Sequence, residues 1–298
     1  MRIVTRPDFD GVVCAVLLYD VLDITEPIKW VEPNDLQKGR VEIRKDDIIA
    51  NLPYDQNCAL WFDHHYTNRI TTPFEGSFKI APSAAGIIFE HYRERFKNDF
   101  SALVQAADKI DSADLTLDEV LHPEKYNYIM LSMTISNGEE AEEAYWNLLV
   151  ELLRKLDIQQ VLENPEIYKH CQSMLVQDEI YIAYLEENTK LIKHVAITDF
   201  RPFTKPPGGN RFLVYSLIPD SYVNAKIRYE DSTRKRVVVS VGHSIFNPQC
   251  NVNVGLMLAE FEGGGHPGAG STRFQASKAK KYIPKILETL LKNKNNEG

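Results

Sequence analysis

The sequence has few cysteines, no apolar run of membrane-spanning length and no excess of positive charge. Its four cysteines, Cys14, Cys58, Cys171 and Cys250, lie far apart in 298 residues and form no Cys-x-x-Cys pair. That spacing excludes a disulfide frame and predicts small buried thiols in a reducing environment. No segment approaches the roughly 20 apolar residues that a membrane span needs, so no membrane partner is expected. The first residues, Met1-Arg2-Ile3-Val4-Thr5, run straight into a strand-like pattern with no charged-then-apolar leader, and a cytoplasmic location is expected. Basic residues number 34 against 42 acidic ones, for a net charge of −8. This excludes unselective binding of long duplex nucleic acid, which relies on many phosphate-neutralising cations. It leaves room for a local basic pocket that takes a small anion.

What is present is an ordinary globular composition, 44% hydrophobic and 26% charged, in a chain long enough for one large or two ordinary domains. The stretch that organises the rest is Cys58-Ala59-Leu60-Trp61-Phe62-Asp63-His64-His65-Tyr66. An apolar run with the length of a buried strand ends there in one carboxylate and two imidazoles. Strands buried on both faces read as continuous apolar runs, and open α/β sheets bind ligands just beyond their strands' carboxyl ends.

The remaining pattern agrees with such a sheet. Residues 2–5 read as a first strand ending in Arg6-Pro7-Asp8-Phe9-Asp10-Gly11, and residues 12–18 begin a helix apolar nearly all round, hence buried. Residues 28–31 and 47–50 read as the next two strands. Ser83 predicts an N-cap for a helix over 84–96, and a second helix covers 102–110, ending in Asp108-Lys109-Ile110-Asp111. Helical spacing continues over about 139–162 and 166–192. The segment from Arg201 to Gly209, with three prolines and two glycines, breaks the pattern. Beyond it, strands are predicted at 212–216, 225–229, 237–241 and 272–275, with helices at 252–261 and at the end of the chain. The expected organisation is a first α/β domain at 1–185, with a parallel sheet and helices on both faces. A linker at 186–205 and a smaller α/β domain at 206–298 follow, with the site in the cleft between the two.

Three segments carry clustered ligands: Asp8 with Asp10, Asp63-His64-His65, and Asp108 with Asp111. In a parallel sheet the strand ends share one edge, so these segments can converge. Crowded carboxylates raise one another's pKa unless a cation lies among them. Mixed carboxylate and imidazole ligation suits Mn²⁺, Mg²⁺ or Fe²⁺ better than a thiolate-rich zinc site. In the second domain, Gly263-Gly264-Gly265-His266-Pro267-Gly268 reads as a loop whose exposed N–H groups cradle an anion, with His266 as a further donor.

Together these motifs resemble the DHH phosphoesterase superfamily, in the branch with a Gly-Gly-Gly-His (DHHA-type) C-terminal domain. The resemblance spans most of the chain and is to oligoribonucleotide hydrolases and exopolyphosphatase-related proteins. It implies a hydrolase acting on a small phosphorylated nucleotide or short oligonucleotide through metal-activated water. The alternatives are an exopolyphosphatase-like phosphoanhydride hydrolase and a nucleotide-binding member with little turnover. It implies Mn²⁺ or Mg²⁺, one or two ions, and allows a homodimer. Carried over by motif, Asp10, His64 and Asp108 match ligands of one metal and Asp8 a ligand of a second. His65 matches the contact to the scissile phosphate, with Asp63 beside it in the triplet, and Gly264, Gly265 and His266 match the substrate clamp.

The chain departs from that pattern in three places. A metal-binding histidine normally precedes the Asp-x-Asp, but none occurs before His64; Arg6 stands there instead. The aspartate that normally bridges two metals is replaced by Asn51, whose amide offers a carbonyl oxygen but no charge. An arginine-serine pair near the end of the second domain's central strand reads His243-Ser244, which places His243 among the substrate contacts. These departures imply a one-metal or weak two-metal phosphoesterase, with Arg6 supplying fixed positive charge.

Overall fold

The computed structural model describes residues 1–135 and 142–296. The chain divides into two compact units, Met1–Leu115 with Pro123–Gln172, and Thr116–His122 with Ser173–Gly298.

The first unit runs β1 (Arg2–Thr5), α1 (Phe9–Val21), β2 (Lys29–Trp30), α2 (Pro33–Gln37), β3 (Asp47–Ala50), β4 (Leu60–Asp63), β5 (Gly76–Phe78), α3 (Ala84–His91) and α4 (Ser101–Asp111). A short α5 (Leu117–Leu121) belongs to the second unit, and α6 (Asn127–Met133), α7 (Glu143–Leu153) and α8 (Ile158–Glu163) complete the first. The helix expected from about 139 is seen from Glu143; residues 139–141 lie outside the described residues.

All five strands are parallel, in the order β2-β1-β3-β4-β5. Register brings Thr5, Ala50 and Phe62 side by side, so the chain leaves β1, β3 and β4 at one edge. Strand alternation divides the sheet's two faces. Val4, Ile49 and Trp61 pack with Leu36 of α2 on one face, while Phe62 on the other meets the rings of His91 and Tyr92 at the end of α3. The interior helix α1 is buried over nearly its whole circumference, as the apolar run from Val12 to Leu18 requires. Trp61 has no exposed surface and stacks on Phe78 at 5.2 Å. Deleting such a ring costs about 3–5 kcal/mol, which makes the strand that ends in the triplet a firm support.

Helix α9 (Pro165–Asn188) carries the chain from one unit into the other. The second unit continues through β6 (Thr189–Ile192), β7 (Val195–Asp199), α10 (Leu213–Leu217), β8 (Val223–Tyr229), β9 (Arg236–His243), α11 (Val254–Ala259), β10 (Gly263–His266), β11 (Ala269–Gln275) and α12 (Ala279–Lys292). Its six-stranded sheet has the order β10-β11-β9-β8-β7-β6 and is antiparallel except between β7 and β8.

Three expectations are corrected here. Residues 186–205 are not a linker, because β6 and β7 are strands of the second sheet and Val195 and Ala196 are fully buried. The Pro/Gly-rich segment is therefore a loop inside the second unit. Residues 212–216, read as a strand, form α10: the Asn210 side chain accepts from the Phe212 N–H at 3.0 Å and starts a helical turn that a short apolar run cannot announce. The Gly-Gly-Gly-His run is not an open loop. It is the edge strand β10, paired with β11 from Gly263–Thr272 to His266–Ala269.

Candidate active site

The β1–α1 turn sets the first wall. Asp8 caps α1, its Oδ1 accepting from the Gly11 N–H at 2.8 Å. A Cβ on Gly11 would lie 1.9 Å from the Arg6 carbonyl oxygen, so the turn closes only around glycine. Asp8 is further engaged by the Asn51 side-chain N–H at 2.9 Å and by the Arg6 Nε at 3.1 Å. Burial pushes its carboxyl up to about 6, against the pull of the Arg6 guanidinium.

Asp10 points into the unit and is 2% exposed. Its two carboxylate oxygens accept from the Ala84 and Ala85 N–H groups at 2.9 and 2.8 Å, at the N-terminus of α3. A helix N-terminus favours an anion there through its unsatisfied N–H groups and its dipole. Burial raises the Asp10 pKa well above the usual carboxylate range, and repulsion from Asp111 and Asp8 raises it further.

The triplet supplies the second wall, and strand alternation continues through it. Asp63 and His65 fall on one side and meet, Asp63 Oδ1 to His65 Nδ1 at 2.8 Å, while Asn68 donates to the other Asp63 oxygen at 2.6 Å. Burial works against a charged His65, but the Asp63 hydrogen bond and charge outweigh it, and the pKa is raised. His64 turns the other way. Its Nδ1 lies 2.9 Å from the Ala81 carbonyl, which only accepts, so that nitrogen carries the proton. Its Nε2 is then a lone-pair acceptor, 3.3 Å from Asp111 Oδ2 and 3.8 Å from Asp10 Oδ2. Burial, followed by the neighbouring His65, lowers the His64 pKa and keeps the ring neutral.

A buried imidazole lone pair facing two carboxylates has no hydrogen-bond partner among the described residues. Such groups are rare in folded proteins, because an unmade buried hydrogen bond costs about 1–3 kcal/mol. Asp10, His64 and Asp111 each offer one ligand atom, all within 4.8 Å of one another. A divalent cation satisfies the lone pair and removes the carboxylate repulsion together, so the donor set fits one.

The geometry changes one residue of the expected set. Asp111, at the last position of α4, joins Asp10 and His64, whereas Asp108 does not. Asp108 Oδ1 accepts from the Ser83 hydroxyl at 2.6 Å, and Ser83 accepts from the Gly86 N–H at 2.9 Å as the N-cap of α3. Asp108 thus steadies the helix end that holds Asp10. The sequence cue was the Asp108-x-x-Asp111 spacing, which puts two carboxylates one helical turn apart but does not say which faces the sheet edge. Ser83→Ala is expected to lower stability by about 1–2 kcal/mol in urea denaturation, the cost of a lost N-cap plus a loosened Asp108.

Asn51 stands at the end of β3 in a left-handed conformation, φ 55°. Its amide is fixed by donation to Asp8, which leaves its Oδ1 buried and without a partner among the described residues. Asp8 therefore already has donors on both oxygens, from Gly11 and Asn51 on Oδ1 and from Arg6 on Oδ2.

In the second unit, His243 ends β9 and its Nε2 lies 3.0 Å from the Val252 carbonyl, which fixes the proton on that nitrogen. Burial lowers its pKa, so it supplies no fixed positive charge. Gly265, with φ 150°, cannot carry a side chain: a Cβ would meet the Ala269 carbonyl oxygen at 2.3 Å. Gly264 and His266 lie on the same edge strand, both in exposed or half-exposed positions. No helix among the described residues is long and apolar enough to cross a membrane.

No family model matches the sequence, and no curated protein matches it. Among solved structures, the chain is similar to a pGpG-specific phosphodiesterase, PggH from Vibrio cholerae. Identity is 28%, the match covers 98% of this chain and 99% of that one, and the TM-score is 0.82. A manganese-bound exonuclease RecJ shares the fold at 14% identity, over 97% of this chain and 89% of that one, with a TM-score of 0.57. A DHH domain described as a member of the s1p family of ribosomal proteins does so at 12% identity, over 98% and 86%, with a TM-score of 0.62. With the Asp-His-His triplet at the carboxyl end of β4, the Asp-x-Asp turn beside it and this likeness over the whole length of both chains, the protein's structural neighbours are DHH-domain proteins and it resembles the DHH phosphoesterase superfamily.

Proposed function

We propose that the protein is a divalent-metal-dependent phosphodiesterase that hydrolyses short 5′-phosphorylated oligonucleotides, with a dinucleotide such as pGpG as the substrate type. The observation that carries the reaction class is the buried His64 Nε2 facing Asp10 and Asp111. The substrate class rests on the 28% identity to a pGpG-specific phosphodiesterase over both chains' full length.

Asp10, His64 and Asp111 would hold the cation. When bound, a divalent ion supplies Lewis-acid charge and lowers the pKa of a water. The α3 N-terminus holds Asp10 in place through two N–H groups, and the Ala81 carbonyl holds His64 in the tautomer a ligand needs. Asp63 orients His65 and favours its protonated form, which suits it to donate to a phosphoryl oxygen as negative charge develops. Arg6, already turned toward Asp8, supplies fixed charge with a guanidinium fork that matches phosphate. Gly264, Gly265 and His266 of the second unit serve as substrate contacts.

One ion is held tightly. Arg6 neutralises Asp8 and the Asn51 amide hydrogen-bonds to it, so a second cation would have to displace both. Protein loaded with Mn²⁺ and dialysed is expected to retain one ion per chain by elemental analysis; two retained ions would overturn this count. Turnover measured side by side on pGpG, phosphoadenosine phosphate and polyphosphate tests the substrate. Preferential cleavage of the dinucleotide is expected, and faster polyphosphate cleavage would reject it.

A further inference from the structure

The apolar run of α1 contains one side chain with a polar hydrogen. Between Val12 and Leu18 every residue but Cys14 is aliphatic, and Cys14 has no exposed surface. It stands one helical turn after Asp10 on the same side of α1, as residues four apart do. Its Sγ lies 3.7 Å from Asp10 Oδ1. An ionised carboxylate only accepts, so the thiol donates.

The consequence shows when the lone pairs of Asp10 are followed one by one. A carboxylate has about four acceptor sites, two on each oxygen. Oδ1 accepts from the Ala85 N–H at 2.8 Å and from the Cys14 thiol, which together fill it. Oδ2 accepts from the Ala84 N–H at 2.9 Å and keeps one site free. That oxygen is the one that faces the His64 Nε2, at 3.8 Å. None of the three donors carries a charge, so none competes with a cation, unlike the Arg6 guanidinium beside Asp8. A thiol suits this place. It behaves as a small hydrophobe with a weak donor, so it fits the apolar interior at less desolvation cost than a hydroxyl.

We propose that Cys14 is a positioning residue that holds Asp10 to a single ligand oxygen, and that it thereby sets the size of divalent cation the site prefers. With Oδ1 filled, Asp10 presents Oδ2 alone. Small ions such as Mg²⁺ and Mn²⁺ favour octahedral ligation by single oxygens, whereas Ca²⁺ takes more oxygens and accepts both from one carboxylate. Loss of the thiol frees a lone pair on Oδ1 and relaxes the choice toward Ca²⁺. This role rests on the cation site proposed above and not on the substrate proposed for it.

The test is isothermal titration of the metal-free, full-length protein with MnCl₂ and with CaCl₂. The wild type is expected to bind Mn²⁺ more tightly than Ca²⁺. Cys14→Val keeps apolar volume and removes the donor. It should narrow the Mn²⁺ preference about tenfold, the lower end of what losing a group that orients a metal ligand costs. Cys14→Ala, a second donor-free variant without the branched side chain, should do the same, and melting in EDTA shows that each variant is folded. Cys14→Ser restores a donor and should stay within about threefold of wild type. A merely loosened core would weaken both ions alike, and serine would not restore the ratio. A preference unchanged in the donor-free variants, or lost equally in the serine variant, would overturn the role. A wild type that binds no Mn²⁺ would overturn the cation site and this role with it. Affinities as expected without turnover of pGpG would remove the proposed substrate and leave the role of Cys14 standing.

Discussion

Replacing His64 by alanine is expected to slow phosphodiester hydrolysis by about three orders of magnitude and to abolish stabilisation by Mn²⁺. The rate loss corresponds to about 4 kcal/mol of transition-state stabilisation, the scale of losing a Lewis acid from its site. The stability effect follows from linkage. A cation that binds only the folded chain at a hundred times its Kd adds about 2.7 kcal/mol. In a chain of 298 residues that is about 4 °C in Tm. Differential scanning fluorimetry with and without Mn²⁺ reads it directly. The same imidazole that now faces Asp10 and Asp111 is the one that would be lost, so the variant should melt at the same temperature in Mn²⁺ and in EDTA. His65→Ala separates the two histidines, because His65 turns to Asp63 instead of to that carboxylate pair. It should keep the Mn²⁺ shift and lose turnover. An unchanged Mn²⁺ shift in His64→Ala would reject the cation site.

Gly11→Ala is expected to cost about 3 kcal/mol or more, an unusually large effect for adding one methyl group. The new Cβ would stand 1.9 Å from the Arg6 carbonyl oxygen and 2.9 Å from the Thr5 hydroxyl. Both neighbours belong to the segment that leaves β1, so relief requires opening the turn. Opening it withdraws the Gly11 N–H from Asp8 and shifts Asp10 off the α3 N-terminus. The damage therefore reaches the site as well as the fold. Gly264→Ala is the internal contrast. Its Cβ would meet nothing within 4 Å, and its unfolding free energy from urea denaturation should stay within about 0.5 kcal/mol of wild type. Equal stability of the two variants would show that the β1–α1 turn is not fixed by close packing.

Much of the first unit was legible in the residues because each local signal agreed with the next. The apolar run of α1 from Val12 to Leu18, the Ser83 cap and the run ending at Asp63 are short-range facts that specify a buried helix, a helix start and a central strand. The second unit was less legible. A short, mostly apolar run became helix where the turn at Asn210 leads into it, and β6 and β7 were absorbed into a supposed linker because two four- or five-residue strands carry little periodicity. The glycine-rich run looked like a loop by composition. Its glycines instead answer to close contacts, Gly265 against the Ala269 carbonyl and Gly263 against that of Ser271.

By itself, the sequence determined the family resemblance and the chemical types available: a carboxylate pair after β1, a carboxylate and two imidazoles after β4, a guanidinium and an amide where a histidine and an aspartate are usual in the family it resembles. These are matters of which side chains occur and in what order, and folding does not alter them. Tertiary structure alone decided which of them meet. Asp108 and Asp111 are three residues apart on one helix, but packing of α4 sends one to Ser83 and the other to His64. Asp10 and the Ala84 and Ala85 N–H groups are strangers in sequence and meet only where α3 packs beside the β1–α1 turn. Distance along a chain fixes what can pair locally. Which distant groups share a cavity is set by the sheet and the helices that close on it, and here that closure leaves one buried imidazole lone pair between two carboxylates.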